Sequence, residues 1–256
     1  MANLVEVFSS VQGEGPDVGR STLFVRFGEC DLRCRWCDSP ATWRPARACR
    51  VELERGSGRF EERPNPVSTE ELTEICRQLL VESHQMVSLT GGEPLLQPEA
   101  VAELGTALGA LGPSVLLETH GIHRDALLKG IDALDVISMD WKLASDVRRV
   151  GDPIRGPVAP FHDAHEAFLE VARAASRVIV KLVITLDSLD EEIDEAVARV
   201  ARVHPGATLV LQPVTPFGAV RERPPAERML SLVARAERVL SDVRVIPQTH
   251  PMYGAP

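Results

Sequence analysis

No run in this 256-residue chain reaches the about 18 consecutive apolar residues of a membrane span. The opening Met1-Ala2-Asn3-Leu4-Val5-Glu6 lacks the basic and apolar regions of a secretory signal, so none is expected. Cysteine is sparse and odd in number, at five, which does not make a disulfide framework and fits a reducing cytoplasm. Positive charge is short. The 28 Lys and Arg against 37 Asp and Glu give a net charge of −9 and a pI of about 5.3. That balance argues against a dominant nucleic-acid or membrane-surface role, while leaving room for a local basic pocket. Phosphate-binding fingerprints are missing too, both G-x-G-x-x-G and the Walker type, as are repeats and low-complexity segments.

What remains is ordinary globular composition, 44% hydrophobic and 25% charged, long enough for a sizeable core. Ser21 to Phe27 alternates with period two, Leu23, Val25 and Phe27 on one side and Thr22, Phe24 and Arg26 on the other. Further strands are expected at 86–90, 115–118, 136–139, 178–185, 208–211 and 243–246. Between them, helical spacing covers 98–110, 163–175, 189–203 and 225–240. Ser68-Thr69-Glu70-Glu71 has the spacing of a capping box, and Leu72, Ile75, Cys76 and Leu79 form an apolar stripe behind it. Alternating strands and helices imply a parallel sheet with right-handed crossovers. With about seven strands, and the helix after the first strand missing or shortened, the α/β fold expected is an incomplete (β/α) TIM-like barrel. It is read as a single domain over 1–256. Residues 40–67, rich in Pro, Arg and Glu, read as an irregular, partly mobile insertion.

Cys30-Asp31-Leu32-Arg33-Cys34-Arg35-Trp36-Cys37-Asp38 is the most informative stretch. Its C-x3-C-x2-C spacing suits three thiolates on an iron–sulfur cluster. Zinc and simple core packing stay open on spacing alone, although no fourth ligand sits at finger-like spacing. Other features carry bland readings. Cys49 is an incidental thiol and Cys76 a core residue. His120 and His123 are loop histidines rather than a metal pair. Asp140 and Lys142, at a strand end, make a surface ion pair of little energetic worth. Gly91-Gly92-Glu93-Pro94 after a strand can bring bare backbone against a ligand.

The cysteine spacing resembles the signature of the radical SAM superfamily. Further segments resemble the 7-carboxy-7-deazaguanine synthase family within it. These are Glu6-Val7-Phe8-Ser9-Ser10-Val11-Gln12-Gly13-Glu14-Gly15, Phe24-Val25-Arg26, Leu89-Thr90-Gly91-Gly92-Glu93-Pro94, Ser138-Met139-Asp140-Trp141-Lys142 and Pro247-Gln248-Thr249-His250. They run from one end of the chain to the other.

The resemblance implies a barrel of the radical SAM type. It also implies a carbon–nitrogen lyase that turns 6-carboxy-5,6,7,8-tetrahydropterin into 7-carboxy-7-deazaguanine with loss of ammonia, in queuosine biosynthesis. A [4Fe-4S] cluster, S-adenosylmethionine (SAM) and Mg²⁺ would serve it, through a 5′-deoxyadenosyl radical, with SAM regenerated. A reductant such as flavodoxin or ferredoxin and a homodimeric state are implied as well. By the same resemblance Cys30, Cys34 and Cys37 hold the cluster. Trp36, Cys37, Asp38, Gly92, Ser138, Met139, Asp140, Lys142 and Gln212 attend SAM. Val11, Gln12, Gly13, Glu14, Arg26, Thr90, His250 and the C-terminal Pro256 meet the pterin, with Arg26 on its carboxylate. Glu118 is the acid/base candidate. Ser39 stands where the family usually has Thr, and its hydroxyl is the expected Mg²⁺ ligand. Ser-Met-Asp-Trp-Lys likewise departs from the commoner Ser-Pro-Lys. Two other readings are an activase that installs a glycyl radical on a protein partner and a non-catalytic, zinc-stabilised binding module.

Overall fold

Alternation along each strand decides which side chains meet the helices and which look inward. The computed structural model describes residues 1–252 and Gly254. In chain order the elements begin with β1 (Leu4–Val11), β2 (Ser21–Phe27), β3 (Leu32–Cys34), β4 (Ala48–Glu52), β5 (Phe60–Pro64), α1 (Thr69–Gln78) and β6 (Met86–Gly91). Next come α2 (Pro98–Gly109), β7 (Ser114–Thr119), α3 (Arg124–Leu127), β8 (Val136–Asp140), β9 (Val147–Arg149) and α4 (His162–Ala172). The last are β10 (Arg177–Ile184), α5 (Asp190–Val203), β11 (Thr208–Pro213), α6 (Ala226–Ala236) and β12 (Val243–Val245).

One ten-stranded sheet runs in the order β12-β11-β10-β8-β7-β6-β2-β1-β4-β5. From β2 to β12 every neighbour is parallel, and these are the seven strands expected from the sequence. Such order, each strand beside the next in sequence, is that of a (β/α) barrel. The barrel is incomplete: β1 returns antiparallel to β2, and β12 and β5 end the sheet among the described residues. Outward-facing Leu23, Val25, Phe27, Val87, Leu89, Leu117, Ile137 and Val180 join the helices in the main core. Ser68 caps α1, its hydroxyl accepting from the Glu71 amide at 3.1 Å, as the capping-box spacing required. No helix among the described residues is long and apolar enough to cross a membrane.

Three expectations need correction. Residues 40–67 are not irregular throughout. β4 lies parallel to β1, and β5 pairs antiparallel with β4, so the insertion extends the sheet. Cys49 and Val51 face the main core, while Arg50 takes the other face of the strand, its guanidinium 4.4 Å from the Phe60 ring centroid and 3.4 Å from Glu6 Oε2. That short alternation was masked by the charged residues around it. The β2-to-β6 crossover does have its helix, α1, only delayed by the insertion; the shortened crossover helix is α3, four residues long. Finally β1, and the small antiparallel pair β3–β9, were not anticipated.

Candidate active site

The inner face of the barrel is layered by the same period of two. Met86, Leu116, Val136, Ile179 and Val210 make an apolar floor. Two residues further along the same strands stand Ser88, Glu118, Ser138, Lys181 and Gln212. Two further again stand Thr90, His120, Asp140 and Val183. Above the floor opens a cavity of about 630 Å³, lined by both upper layers except Ser88. The site therefore sits at the C-terminal ends of the parallel strands, where barrel enzymes carry their chemistry.

Cys30, Cys34 and Cys37 are free, half-buried and share one wall of this cavity. Glu29 turns the chain into the loop with a left-handed φ of 72°. Burial pushes the Cys30 thiol up to about 12. Burial raises Cys34 as well, against the pull of the Lys142 ammonium. Thiols in that condition stay protonated until a metal displaces the proton. The Gly-Gly-Glu-Pro turn clamps the loop. Gly92 N–H donates to Phe27 O at 3.0 Å, and Glu93 N–H to Glu29 O at 2.8 Å. A side chain on Gly92 would collide with the Glu29 carbonyl, so glycine is dictated by packing there.

The buried Glu93 carboxylate accepts from Leu95 N (2.9 Å), Thr119 Oγ1 (2.8 Å) and His120 N (2.9 Å). His120 Nε2 lies 2.9 Å from Asp31 Oδ1, and His123 Nε2 3.1 Å from Asp31 Oδ2. Burial alone would raise Asp31, but the two imidazoles hold its carboxyl well below the usual range, and Asp31 in turn raises His123. These histidines are thus not idle loop residues; they tie the cysteine loop to the end of β7.

From the cysteine loop a chain of buried charge runs across the cavity lining. Lys181 Nζ pairs with Glu14 and with Asp140 Oδ1 at 3.0 Å. Lys142 Nζ takes Asp140 Oδ2 at 2.6 Å. Lys142 is 8% exposed and Lys181 7%, so the surface ion pair expected of Asp140 and Lys142 is instead a buried one facing the cavity. Burial works against every charge here, yet the two lysines bring Asp140 down to about 2, and Lys181 keeps Glu14 below its ordinary value. Glu118 goes the other way. Burial and then the Glu14 charge raise it, although Ser88 Oγ at 2.5 Å and Gln12 Nε2 at 3.1 Å donate to it.

The side-chain Oε1 of Gln12 accepts from the amides of Gly13 (2.8 Å) and Glu14 (3.1 Å), shaping the glycine loop at the cavity. Arg26 is oriented by Glu6, Nε to Oε1 at 2.9 Å, and lies over Phe8. Gln248 donates to Glu14 at 2.5 Å and to Asp38 at 3.3 Å, and the Thr249 amide donates to Gly13 O at 2.9 Å. Both chain ends therefore meet at the site. Ser39 Oγ donates to Asp38 Oδ1 at 2.8 Å, which sets two oxygens side by side.

The cavity gathers Val11, Gln12, Gly13, Glu14, Arg26, Trp36, Asp38, Ser39, Thr90, Gly92, Glu118, Ser138, Asp140, Lys142, Gln212 and His250 beside the cysteines. It does not take the Met139 side chain. Met139 is the outward member between Ser138 and Asp140 and is buried in the main core. Pro256 lies outside the described residues. Lys181, Gln248 and Glu6 were missed. Lys181 had a signal, as the one charge within the apolar run Val178 to Ile184. Gln248 and Glu6 had only their place in the quoted segments.

Residues 25–203 match the radical SAM superfamily. A 7-carboxy-7-deazaguanine synthase from Geobacter sulfurreducens is 38% identical over 99% of this chain and 97% of its own length. The chain belongs to the 7-carboxy-7-deazaguanine synthase family of radical SAM proteins. A second member, from Methanopyrus kandleri, is 37% identical over 97% of this chain and 92% of its own length. The crystal structure of QueE from Escherichia coli, 19% identical, shares the fold with a TM-score of 0.61 over 97% of this chain and 94% of that one. Radical SAM membership implies a [4Fe-4S] cluster and SAM, with an external reductant. The residues fit: three free thiols on one cavity wall leave one iron of four for a ligand that is not protein. Cys49 and Cys76 are fully buried elsewhere and offer no fourth thiolate to zinc. The family assignment favours neither a zinc-stabilised module nor a glycyl-radical activase.

Proposed function

We propose that this chain converts 6-carboxy-5,6,7,8-tetrahydropterin into 7-carboxy-7-deazaguanine with loss of ammonia, acting as a carbon–nitrogen lyase. The observation that carries the reading is the cavity itself. It brings the three thiols into one lining with Gln12, Glu14, Arg26 and Glu118. A bicyclic, singly charged substrate matches that lining, whereas a protein segment would not need it.

When bound, the cluster and SAM supply hydrogen-atom abstraction from the substrate. The chain's own groups hold and direct it. Glu14, kept ionised by Lys181, accepts from the donor edge of the pterin, and the Gln12 loop offers backbone beside it. Arg26 has its Nε taken by Glu6, so its terminal nitrogens remain for the substrate carboxylate. Glu118, raised by burial and by the Glu14 charge, is the acid/base group that would pass a proton to the departing nitrogen. Asp38 and Ser39 present the adjacent oxygens that a Mg²⁺ ion prefers. Lys142, Ser138 and the Gly92 backbone, which line the same cavity as the thiols, would hold SAM.

Anaerobic incubation of reconstituted protein with SAM, dithionite, Mg²⁺ and carboxytetrahydropterin tests this. Mass analysis should find 7-carboxy-7-deazaguanine and one ammonia per product. A protein that carries four irons and cleaves SAM, yet leaves the pterin intact, would overturn the substrate assignment.

A further inference from the structure

The insertion reaches the cysteine loop through one side chain. Trp43 closes the short 3-10 turn Pro40–Trp43, and its indole Nε1–H donates to Cys37 Sγ at 3.3 Å. The turn is held by Thr42, which is 2% exposed and whose hydroxyl donates to Ser39 O at 2.7 Å. Arg33 lies against the indole, its guanidinium carbon 4.6 Å from the ring centroid. The same guanidinium donates to Cys30 O at 2.9 Å and Leu32 O at 2.7 Å, so it belongs to the cysteine loop and fixes the tryptophan from that side. Indole nitrogen is a donor only and seeks a partner when partly buried. Here its partner is sulfur.

A donor on a cluster-ligating sulfur has a defined effect. Reduction adds one negative charge to the cluster, and a hydrogen bond strengthens as its acceptor gains charge. The reduced form gains more than the oxidised, and the potential rises. We propose that Trp43 is a positioning residue that raises the reduction potential of the cluster held by Cys30, Cys34 and Cys37, through its N–H bond to the Cys37 sulfur. This rests on the cluster reading above and adds a role for residues 40–43.

The test is Trp43→Phe, which keeps an aromatic ring for Arg33 and deletes the donor. Reconstituted wild-type and variant proteins are titrated potentiometrically, with the reduced cluster followed by electron paramagnetic resonance and iron counted in each. The variant should keep its iron and become harder to reduce, by up to about tenfold in the reduction equilibrium, or 59 mV for one electron. Sulfur K-edge absorption should show greater iron–sulfur covalency once the donor is gone. An unchanged midpoint in a fully loaded variant overturns the proposal. If Trp43→Phe loses its iron, β-(3-benzothienyl)alanine at position 43 carries the test, because it keeps the bicycle and replaces N–H by sulfur. The same downward shift then supports the proposal, and an unchanged midpoint overturns it. A wild-type protein that assembles no cluster overturns the parent reading instead, and is told apart by having no midpoint to titrate.

Discussion

Lys181→Met removes one ammonium from the cavity while keeping the length of the side chain. At an effective dielectric of about 20, unit charges 3.0 Å apart, as Lys181 and Asp140 are, interact by roughly 5.5 kcal/mol. Asp140 would not lose everything, because Lys142 still pairs with it at 2.6 Å. Glu14 would. It keeps only the Gln248 amide, and both burial and the neighbouring Asp140 then push its carboxyl upward. An uncompensated buried charge costs about 3–5 kcal/mol, and Glu14 escapes most of that by taking a proton. The substrate then meets a neutral acid instead of a carboxylate, losing a charge-assisted hydrogen bond worth about 1.5–3 kcal/mol, or about 10- to 150-fold in Kd. Anaerobic calorimetry with the carboxypterin, without SAM, reads this directly. Wild-type affinity should be flat between about pH 6 and 9, because Glu14 stays ionised. The variant should bind weakly at the acid end and recover as pH rises through the elevated Glu14 value. Equal affinity at every pH would refute the coupling. Weak binding with no pH dependence would mean that Lys181 itself meets the substrate.

Other consequences follow from the same geometry. Cys34→Ala should abolish cluster assembly and SAM cleavage, read as iron content and 5′-deoxyadenosine, and retention of four irons would contradict the ligand set. Arg26→Ala should weaken pterin binding by about 10-fold or more while iron content stays normal, since Arg26 is paired with Glu6 rather than with the cysteine loop; Glu6→Gln should do so more mildly. Gly92→Ala should disturb the cysteine loop even without SAM, because the new Cβ meets the Glu29 carbonyl; a normal melting temperature and normal iron uptake would count against that. Acid should destabilise the fold through His165. It is fully buried between Gly121 O and the Lys142 amide, and burial brings its pKa down to about 3. The unfolded chain binds a proton below about pH 6.5 that the native state refuses, so stability falls as pH drops from there toward 3. At about pH 4.5 the loss is about 3 kcal/mol, and apo-protein urea unfolding of wild type and His165→Asn should differ by that pH slope.

The sequence by itself determined the parallel strands and what faces outward, because burial against helices demands apolar residues at every second position. It determined the cysteine wall and the glycine turn, because those chemistries need particular residues at short range. It also carried the site at low contrast. Glu118, Ser138, Lys181 and Gln212 are polar residues set among apolar ones along their strands. Only the tertiary structure decided that these meet one another and that Gln12, Arg26 and His250 join them, since β1, β2 and the chain end come from distant sequence. It turned Met139 away from the cavity on strand parity, and made Asp140 and Lys142 a buried pair by setting Lys181 and the cysteine loop around them. It gave 40–67 a sheet edge and set Trp43 on the Cys37 sulfur. Charge networks and hydrogen bonds to sulfur depend on ångström-scale approach between segments far apart in the chain, and residue spacing records only what is near.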